Sequence, residues 1–360
     1  MDVPFWVWAV TIAAIVGMLL FDFVGHVRTP HAPTLRESSI WSAVYVGIAV
    51  VFGLLIVAFY GADFGGQYFA GYITEKSLSV DNLFVFVLIM ASFGVPRELQ
   101  QKVLLFGITF ALVLRTVFII VGAAAIENFS WVFYLFGAIL IYTAYVQARS
   151  GGHGGEEDYK ENAVLRAARK VFPTTEEYHS DKMTVRLDGK RFITPLAIAL
   201  IAIGSADIIF AVDSIPAIFG LTQETFLVFT ANAFSLLGLR QLFFLIDGLL
   251  DRLVYLAYGL AVILGFIGAK LVIHALHTNE LPFINGGEHV TAIPEIPTWL
   301  SLVVILATLV VTTVASLARN RHVRAQRVEA GERVAADGAA SLEDDGSRPV
   351  GAGGAAQRSG

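Results

Sequence analysis

Residues 195–220 read PLAIALIAIGSADIIFAVDSIPAIFG, and this stretch indicates what class of protein the chain belongs to. It is longer than the roughly 20 residues that a helix needs to cross a bilayer. Asp207 and Asp213 are its only charged side chains. Charge inside a bilayer is costly, so an acid within such a helix is a functional candidate by default. The stretch therefore predicts a membrane-spanning helix that carries two functional acids.

The rest of the chain has the same apolar character. Of its 360 residues, 56% are hydrophobic and only 15% are charged, whereas a soluble domain carries roughly 25% charged residues. Backbone groups in lipid must hydrogen-bond internally, and the sequence lacks the short alternating segments of a barrel. We therefore predict an all-α polytopic membrane protein with nine transmembrane helices, at 3–22, 40–60, 76–93, 103–126, 129–147, 195–220, 225–246, 252–274 and 298–317.

The composition also excludes several classes of function. The chain has no cysteine, which excludes disulfides, thiolate metal sites and cysteine nucleophiles. Its net charge of −5 gives no electrostatic support for nucleic-acid binding. No G-x-x-x-x-G-K-[ST] nucleotide motif is present, and no pair of nucleophile and base stands out. We expect neither an enzyme nor a bound cofactor nor a nucleic-acid partner.

Lysine and arginine in the loops predict the orientation of the chain. They concentrate in the loop 148–194 and in the segment that follows residue 318, which are therefore expected in the cytoplasm. The N-terminus is then outside and the C-terminus inside. The first apolar block lacks the basic region of a signal peptide, so we interpret it as a retained span. The predicted membrane domain is 1–318, and the tail 319–360 is predicted to be disordered.

The middle of the chain contains an internal repeat, over residues 75–147 and 195–274. Glu75 and Val80-Asp81-Asn82 match Asp207 and Val212-Asp213-Ser214, and in each copy Phe-Gly and then Leu-Arg follow in the same order. Apolar helices align easily by chance, whereas charged residues at matching offsets do not. Each copy has three predicted spans, an odd number, so the second copy is expected to be inverted. Inverted repeats build transporters whose substrate site lies near mid-membrane.

Six polar residues of the two motifs form the candidate metal site: Glu75, Asp81, Asn82, Asp207, Asp213 and Ser214. Glu75 and Asn82 share one helical face with Ser79. Pro216 removes a backbone donor, which would free the carbonyl of Val212 as a further ligand. Carboxylate, amide, hydroxyl and carbonyl oxygens suit hard divalent cations such as manganese, magnesium or calcium.

Pairing with basic residues is the alternative role for these acids. Arg115, Arg240 and Lys76 could neutralise three of the four carboxylates, and Asp22 near the inner end of the first span would add a further negative charge. The surplus negative charge favours a bound cation or a proton on one acid. Lys76 and Lys270 are the exceptions to the orientation rule, because both are expected near outer span ends. We place Glu75 near the same end, where protons would enter.

At these motifs the sequence resembles the TerC/Alx family of bacterial and plastid membrane proteins. The resemblance extends over roughly residues 5–318 and is carried by GYITEKSLSVDNLFVF at 71–86, VLRT at 113–116, DIIFAVDSIPAIF at 207–219, LGLR at 237–240 and YGLAVIL at 258–264. It implies export of metal ions, chiefly manganese, across a bacterial inner membrane, with Glu75, Asp81, Asp207 and Asp213 as metal ligands. The family name also refers to tellurium resistance. Many relatives have a glutamate where this chain has Gly204, so the site is expected to have one ligand fewer.

The preferred hypothesis is a secondary exporter of a divalent cation, most simply manganese, that exchanges it for protons. Its partners would be the metal ion as substrate and the lipid bilayer, and a homo-oligomer remains an alternative to the monomer. The second hypothesis is a non-transporting membrane scaffold or sensor linked to metal or tellurite stress. A membrane-embedded enzyme ranks third.

Overall fold

The computed structural model describes residues 1–27, 34–150, 174–175, 182–187, 190–246, 255–282, 284–290 and 293–319. Nearly all of these residues are helical, which confirms the prediction of an all-α polytopic membrane protein. The predicted tail, apart from Arg319, and most of the loop 148–194 lie outside the described residues.

Ten helices and one small hairpin make up the described chain. The helices are α1 (Phe5–Asp22), which ends in a π-helical turn (Phe23–Val27), α2 (Leu35–Tyr60), α3 (Ala62–Ser92), α4 (Arg97–Asn128), α5 (Val132–Ser150), α6 (Pro195–Phe219), α7 (Thr225–Leu237), α8 (Leu239–Ile246), α9 (Leu256–His277) and α10 (Thr298–Arg319). The hairpin lies before α6 and consists of β1 (Thr184–Leu187) and β2 (Lys190–Ile193), paired antiparallel.

Seven of the described helices are long and apolar enough to cross a membrane: α1, α2, α4, α5, α6, α9 and α10. The predicted span at 225–246 is broken into α7 and α8, which meet at an angle of 41° and together make an eighth candidate. The remaining predicted span, 76–93, corresponds to α3. This helix is long enough to cross a membrane but contains the charged residues Asp63, Glu75, Lys76 and Asp81. The number of nine spans therefore stays a prediction.

The start of α3 corrects one expectation about the site. We predicted a span at 76–93, which placed Glu75 and Lys76 at its outer end, but the helix begins at Ala62. Glu75 therefore lies about 20 Å along the helix from its first residue, near the middle. Polar residues in the first turns of α3 interrupt the apolar pattern, so the sequence did not predict this part of the helix.

Helix packing brings the two predicted copies of the repeat together. Helix α3 packs against α7 and α6 packs against α4, while α3 packs against α6 and α5 against α9. A two-fold relation between α3–α5 and α6–α9 would give these matched contacts, although the inverted relation itself stays a prediction. The α5–α9 contact is close because a Cβ atom on Gly268 would lie 3.1 Å from the carbonyl oxygen of Gly137. Small residues allow such close helix contacts in membranes.

The break between α7 and α8 lies at Gly238 and is stabilised by a cation. Lys76 donates a hydrogen bond of 3.0 Å from Nζ to the carbonyl oxygen of Ser235, one of the last carbonyls of α7. A Cβ atom on Gly238 would lie 3.0 Å from the same Nζ atom, so a glycine leaves room for the ammonium group. Cations near helix C-termini are favourable because the carbonyl groups there lack helical partners. Lys76 therefore has a structural partner inside the protein instead of lying at an outer span end.

Candidate functional site

The centre of the candidate site is Arg115, a fully buried residue of α4. One of its terminal nitrogens forms an ion pair with Glu75 of α3. The other lies 3.2 Å from Oδ1 of Asp207 on α6. Both carboxylates are buried as well. A single guanidinium on α4 therefore joins the first acid of each sequence motif.

Asn82 completes the immediate surroundings of Arg115. In the amide orientation that satisfies both ends, the Asn82 side-chain oxygen accepts a hydrogen bond from Arg115 Nη2 at 3.2 Å. The amide nitrogen then donates to the carbonyl oxygen of Leu78, also at 3.2 Å. This orientation is assigned from the hydrogen-bond network, because only in it do both ends of the amide have a suitable partner. Glu75 and Asn82, which the sequence placed on one helical face, thus contact the same guanidinium.

The remaining two acids lie at the edge of this group. Asp81 is half-buried and its Oδ2 atom lies 3.4 Å from Nε2 of Gln147 on α5. Asp213 is also half-buried, and it interacts electrostatically with both Arg115 and Asp81. The four predicted acids therefore share one region, which we call the Arg115 cluster: Glu75, Asp81, Asn82, Arg115, Asp207 and Asp213. Gln147 was not among the predicted site residues, because it is uncharged and belongs to neither sequence motif.

Several oxygen atoms in or beside the cluster are buried and make no hydrogen bond within the described chain. They include Oε2 of Glu75, Oδ2 of Asp207 and Oγ of Ser214. A buried polar atom that is left unsatisfied costs about 1–3 kcal/mol. Ser214 is one of the six predicted site residues and lies one turn from Phe210 and next to Asp213 on α6. These oxygens are the kind of ligand that a hard cation uses.

The predicted charge balance needs correction. Arg240 does not serve the four acids, because its Nη2 atom lies 3.0 Å from Oδ1 of Asp22 at the end of α1. Lys76 directs its ammonium group to the break in α7 instead. Of the three basic residues considered, Arg115 alone pairs with acids of the cluster. Four carboxylates therefore face one guanidinium, and the surplus of negative charge is larger than the sequence suggested.

Three further details limit the ligand set. In the described residues no three His, Asp or Glu side chains come together in a geometry that could hold a metal ion. Pro216 lies inside α6, which continues without interruption to Phe219. The use of the Val212 carbonyl as a metal ligand therefore stays a prediction. A Cβ atom on Gly204 would lie 3.0 Å from the ring of Phe110, so an aromatic side chain packs where relatives are expected to carry a glutamate.

Two neighbouring polar cavities lie beyond the end of α6. One has a volume of about 480 Å³ and is lined by Gln67, Thr222, Glu224 and Lys270 among others. The second measures about 280 Å³. Phe219, Gln223 and His274 line both cavities. Phe219 follows Asp213 by six residues, about 9 Å along the helix, and no residue of the Arg115 cluster lines either cavity.

Comparison with known proteins places this arrangement in a family. The chain is 55% identical over 329 residues to an uncharacterized membrane protein of Mycobacterium tuberculosis, covering 89% of this chain and 83% of the relative. An uncharacterized membrane protein of Myxococcus xanthus is 37% identical over 318 residues, or 88% of this chain and 93% of the relative. Alx of Escherichia coli strain K12, whose name proposes a membrane-bound redox modulator, is 39% identical over 254 residues, or 68% and 78%.

No solved structure matches the chain significantly. The sequence profile described as integral membrane protein TerC family matches residues 60–324, which include every residue of the Arg115 cluster. The resemblance seen in the acidic motifs is thereby confirmed, and the chain belongs to the TerC family of integral membrane proteins.

Proposed function

We propose that this protein is a secondary transporter that exports a divalent metal cation, with manganese as the first candidate, in exchange for protons. The observation that supports the proposal is the Arg115 cluster: four carboxylates on two helices of the membrane domain, with a single guanidinium paired to two of them. Acids inside a membrane are rare and mark ion pathways. An excess of buried negative charge is best stabilised by a positively charged substrate.

The chemistry of the cluster favours hard cations. Its donors are carboxylate and amide oxygens, with the hydroxyl of Ser214 beside them. Oxygen ligands suit manganese, magnesium and calcium, whereas zinc and copper prefer histidine or thiolate. The metal is proposed here as a substrate, and we propose no cofactor and no enzymatic activity.

The coupling to protons follows from energetics. Export of a divalent cation against an inside-negative potential costs about 4.6 kcal/mol per 100 mV, from about 2.3 kcal/mol per charge. The sequence has no nucleotide-binding motif, so the energy has to come from another ion. Because Glu75 is near the middle of α3, a proton would have to reach it through the protein. The two polar cavities that Phe219 lines are the proposed start of this route from outside.

Two other roles compete with transport. A scaffold or sensor would need the cluster only for stability. A redox role, as the name of Alx proposes for that protein, would have to operate without thiols of this chain, which has no cysteine. Transport predicts net movement of metal by the purified protein alone, and neither alternative does.

The test is metal flux in proteoliposomes that contain the purified full-length chain. Vesicles are loaded with manganese, and a pH gradient of each sign is imposed, with protein-free vesicles and Asp213→Asn as controls. We expect that one sign of the pH gradient speeds the release of manganese from the vesicles and that the opposite sign slows it. Flux that ignores both gradients would remove proton coupling but leave transport, and no flux for manganese, magnesium or calcium would favour the scaffold.

The direction of transport depends on the orientation in the membrane. We propose a bacterial inner-membrane location with the N-terminus outside, based on the basic residues in the loops. A reporter fused after Val323 should report a cytoplasmic position, and one inserted at Gly286 an external position. The opposite pattern would reverse the predicted topology. Whether the protein is a monomer or a homo-oligomer can be measured on the same purified sample.

A further inference from the structure

We propose that Arg115 is a tethered cation that competes with the substrate metal for the carboxylates of Glu75 and Asp207. The inference rests on the proposed function and deepens it, because it states what occupies the ligands when the metal does not. Metal binding would then require the guanidinium to release at least one carboxylate.

The competition follows from the geometry around the guanidinium. Arg115 uses different nitrogens for the two acids, with Nη2 lying 3.2 Å from Oδ1 of Asp207 and Nη1 paired with Glu75. A carboxylate has about four lone-pair sites, but a metal ion and a guanidinium group both depend on its single negative charge. A cation coordinated by both acids would also lie next to a buried positive charge, which is unfavourable in a medium of low dielectric constant. The two cations therefore weaken each other's binding to this pair of acids.

The pairing is incomplete, which is what a replaceable partner requires. Asp207 gives one oxygen to Arg115, while its Oδ2 atom has no hydrogen-bond partner in the described chain. Arg115 likewise has an Nε atom that makes no hydrogen bond there. A guanidinium can form two parallel bonds with one carboxylate, but Arg115 divides its bonds between two acids. Neither acid is held as firmly as it could be.

A guanidinium that leaves Asp207 would have other partners. The Asn82 oxygen accepts from the same Nη2 atom at 3.2 Å, and Asp213 attracts Arg115 electrostatically. The arginine could therefore stay inside the protein while the two acids turn to a metal ion. It would also neutralise the acids when the substrate has left, so that an empty carrier could reorient without two unpaired buried charges.

The test is manganese binding to purified full-length protein, measured by titration calorimetry for the wild type, Arg115→Met and Arg115→Lys. Arg240→Met is the matched control, because Arg240 occupies the corresponding Leu-Arg motif but pairs with Asp22. We expect Arg115→Met to bind manganese at least about tenfold more tightly than the wild type, since loss of a competing charged bond is worth about this factor. Arg115→Lys should lie between them, because lysine keeps the charge but cannot bridge two acids.

We expect the manganese flux of Arg115→Met to fall although its affinity rises, because the empty carrier would have lost its internal counter-charge. Arg240→Met should keep the wild-type affinity. If Arg115→Met is not monodisperse by size-exclusion chromatography, the comparison of Arg115→Lys with the wild type decides. An affinity that is unchanged or weaker in the Arg115 variants, while the wild type binds, overturns the tethered cation alone. Failure of the wild type to bind or transport manganese, magnesium or calcium overturns the proposed function together with it.

Discussion

Arg115 and Arg240 stand in the same Leu-Arg motif of the two predicted repeats, yet they have different partners. Arg115 pairs with one acid from each copy of the motif, Glu75 and Asp207. Arg240 pairs with Asp22, which lies on α1 and belongs to neither copy. Corresponding residues in a repeat therefore need not make corresponding contacts, and an arginine in such a motif cannot be assigned a role from its position alone.

The difference begins one residue before the shared Leu-Arg pair. In the first copy this residue is Val113, and α4 runs unbroken from Arg97 to Asn128. In the second copy it is Gly238, where α7 ends and α8 begins at an angle of 41°. Arg240 lies on α8, after this break, and pairs with Asp22 at the end of α1. One copy thus supplies the guanidinium of the candidate site, and the other supplies a contact between α1 and α8.

The largest expected effect concerns Asp81 and Asp213, the two acids at the edge of the Arg115 cluster. We predict that Asp81→Asn and Asp213→Asn each abolish metal flux while the protein still inserts and purifies normally. Both acids are half-buried and neither forms a direct ion pair with Arg115, so the neutral variants should change the free energy of unfolding little. Flux in proteoliposomes, normalised to inserted protein, measures the effect.

Asp63→Asn is the matched control for this prediction, because Asp63 lies on α3 as Asp81 does but is exposed in the first turn. It should keep wild-type flux. Normal transport by Asp81→Asn or Asp213→Asn would remove that acid from the metal site.

The second prediction compares the two ion pairs directly. Asp207→Asn should lower flux by about 100-fold, because it removes one of the proposed metal-binding carboxylates and a charged contact is worth up to about 3 kcal/mol. Asp22→Asn breaks the pair with Arg240 and should lower the free energy of unfolding by a similar amount, yet leave the flux of each folded molecule near the wild-type value. Thermal unfolding in detergent and flux in vesicles separate the two effects. Equal loss of flux in both variants would mean that the two arginines serve the same function.

The third prediction concerns Asn82, the amide beside Arg115. Asn82→Ala removes a hydrogen bond to a buried charged group, which is worth about 1.5–3 kcal/mol. The variant should be less stable by that amount and should still transport, because the carboxylates remain. Asn128→Ala is the control, since the Asn128 amide is exposed and donates only to the carbonyl of Ala124. A loss of all transport in Asn82→Ala would make the amide an essential ligand instead of a support for Arg115.

Much of this arrangement could be predicted from the sequence. Long apolar blocks predict membrane helices, and matching motifs within them predicted which acids lie close together, although their role as a metal site stays a prediction. Glu75 and Asn82 indeed share a helical face toward Arg115, and Asp207 lies on the facing helix. These predictions depend on helix periodicity and on the cost of buried charge, which act locally along the chain.

The partners of the basic residues could not be predicted, because they depend on how the helices pack. Arg240 and Lys76 have the same charge, but one pairs with a carboxylate of α1 and the other with a backbone carbonyl of α7. The start of α3 at Ala62 was missed as well, because polar residues in its first turns interrupt the apolar pattern. A sequence pattern indicates how hydrophobicity varies along one helix, but it does not indicate which helices pack against that helix.

The smallest expected effect concerns the space around Gly238, at the break between α7 and α8. A Cβ atom there would lie 3.0 Å from Nζ of Lys76 and 3.3 Å from Cβ of Tyr45, so alanine would crowd the ammonium group that binds the Ser235 carbonyl. Overpacking costs about 1–3 kcal/mol, while replacing a glycine in a conformation open to alanine returns about 0.4–1 kcal/mol. We therefore predict that Gly238→Ala lowers the free energy of unfolding by about 1 kcal/mol.

Gly47→Ala in α2 is the control, because no atom lies within 4 Å of its added Cβ, and it should be neutral or slightly stabilising. A stabilised Gly238→Ala would contradict the prediction and show that the Lys76 side chain can move to make room for the added methyl group.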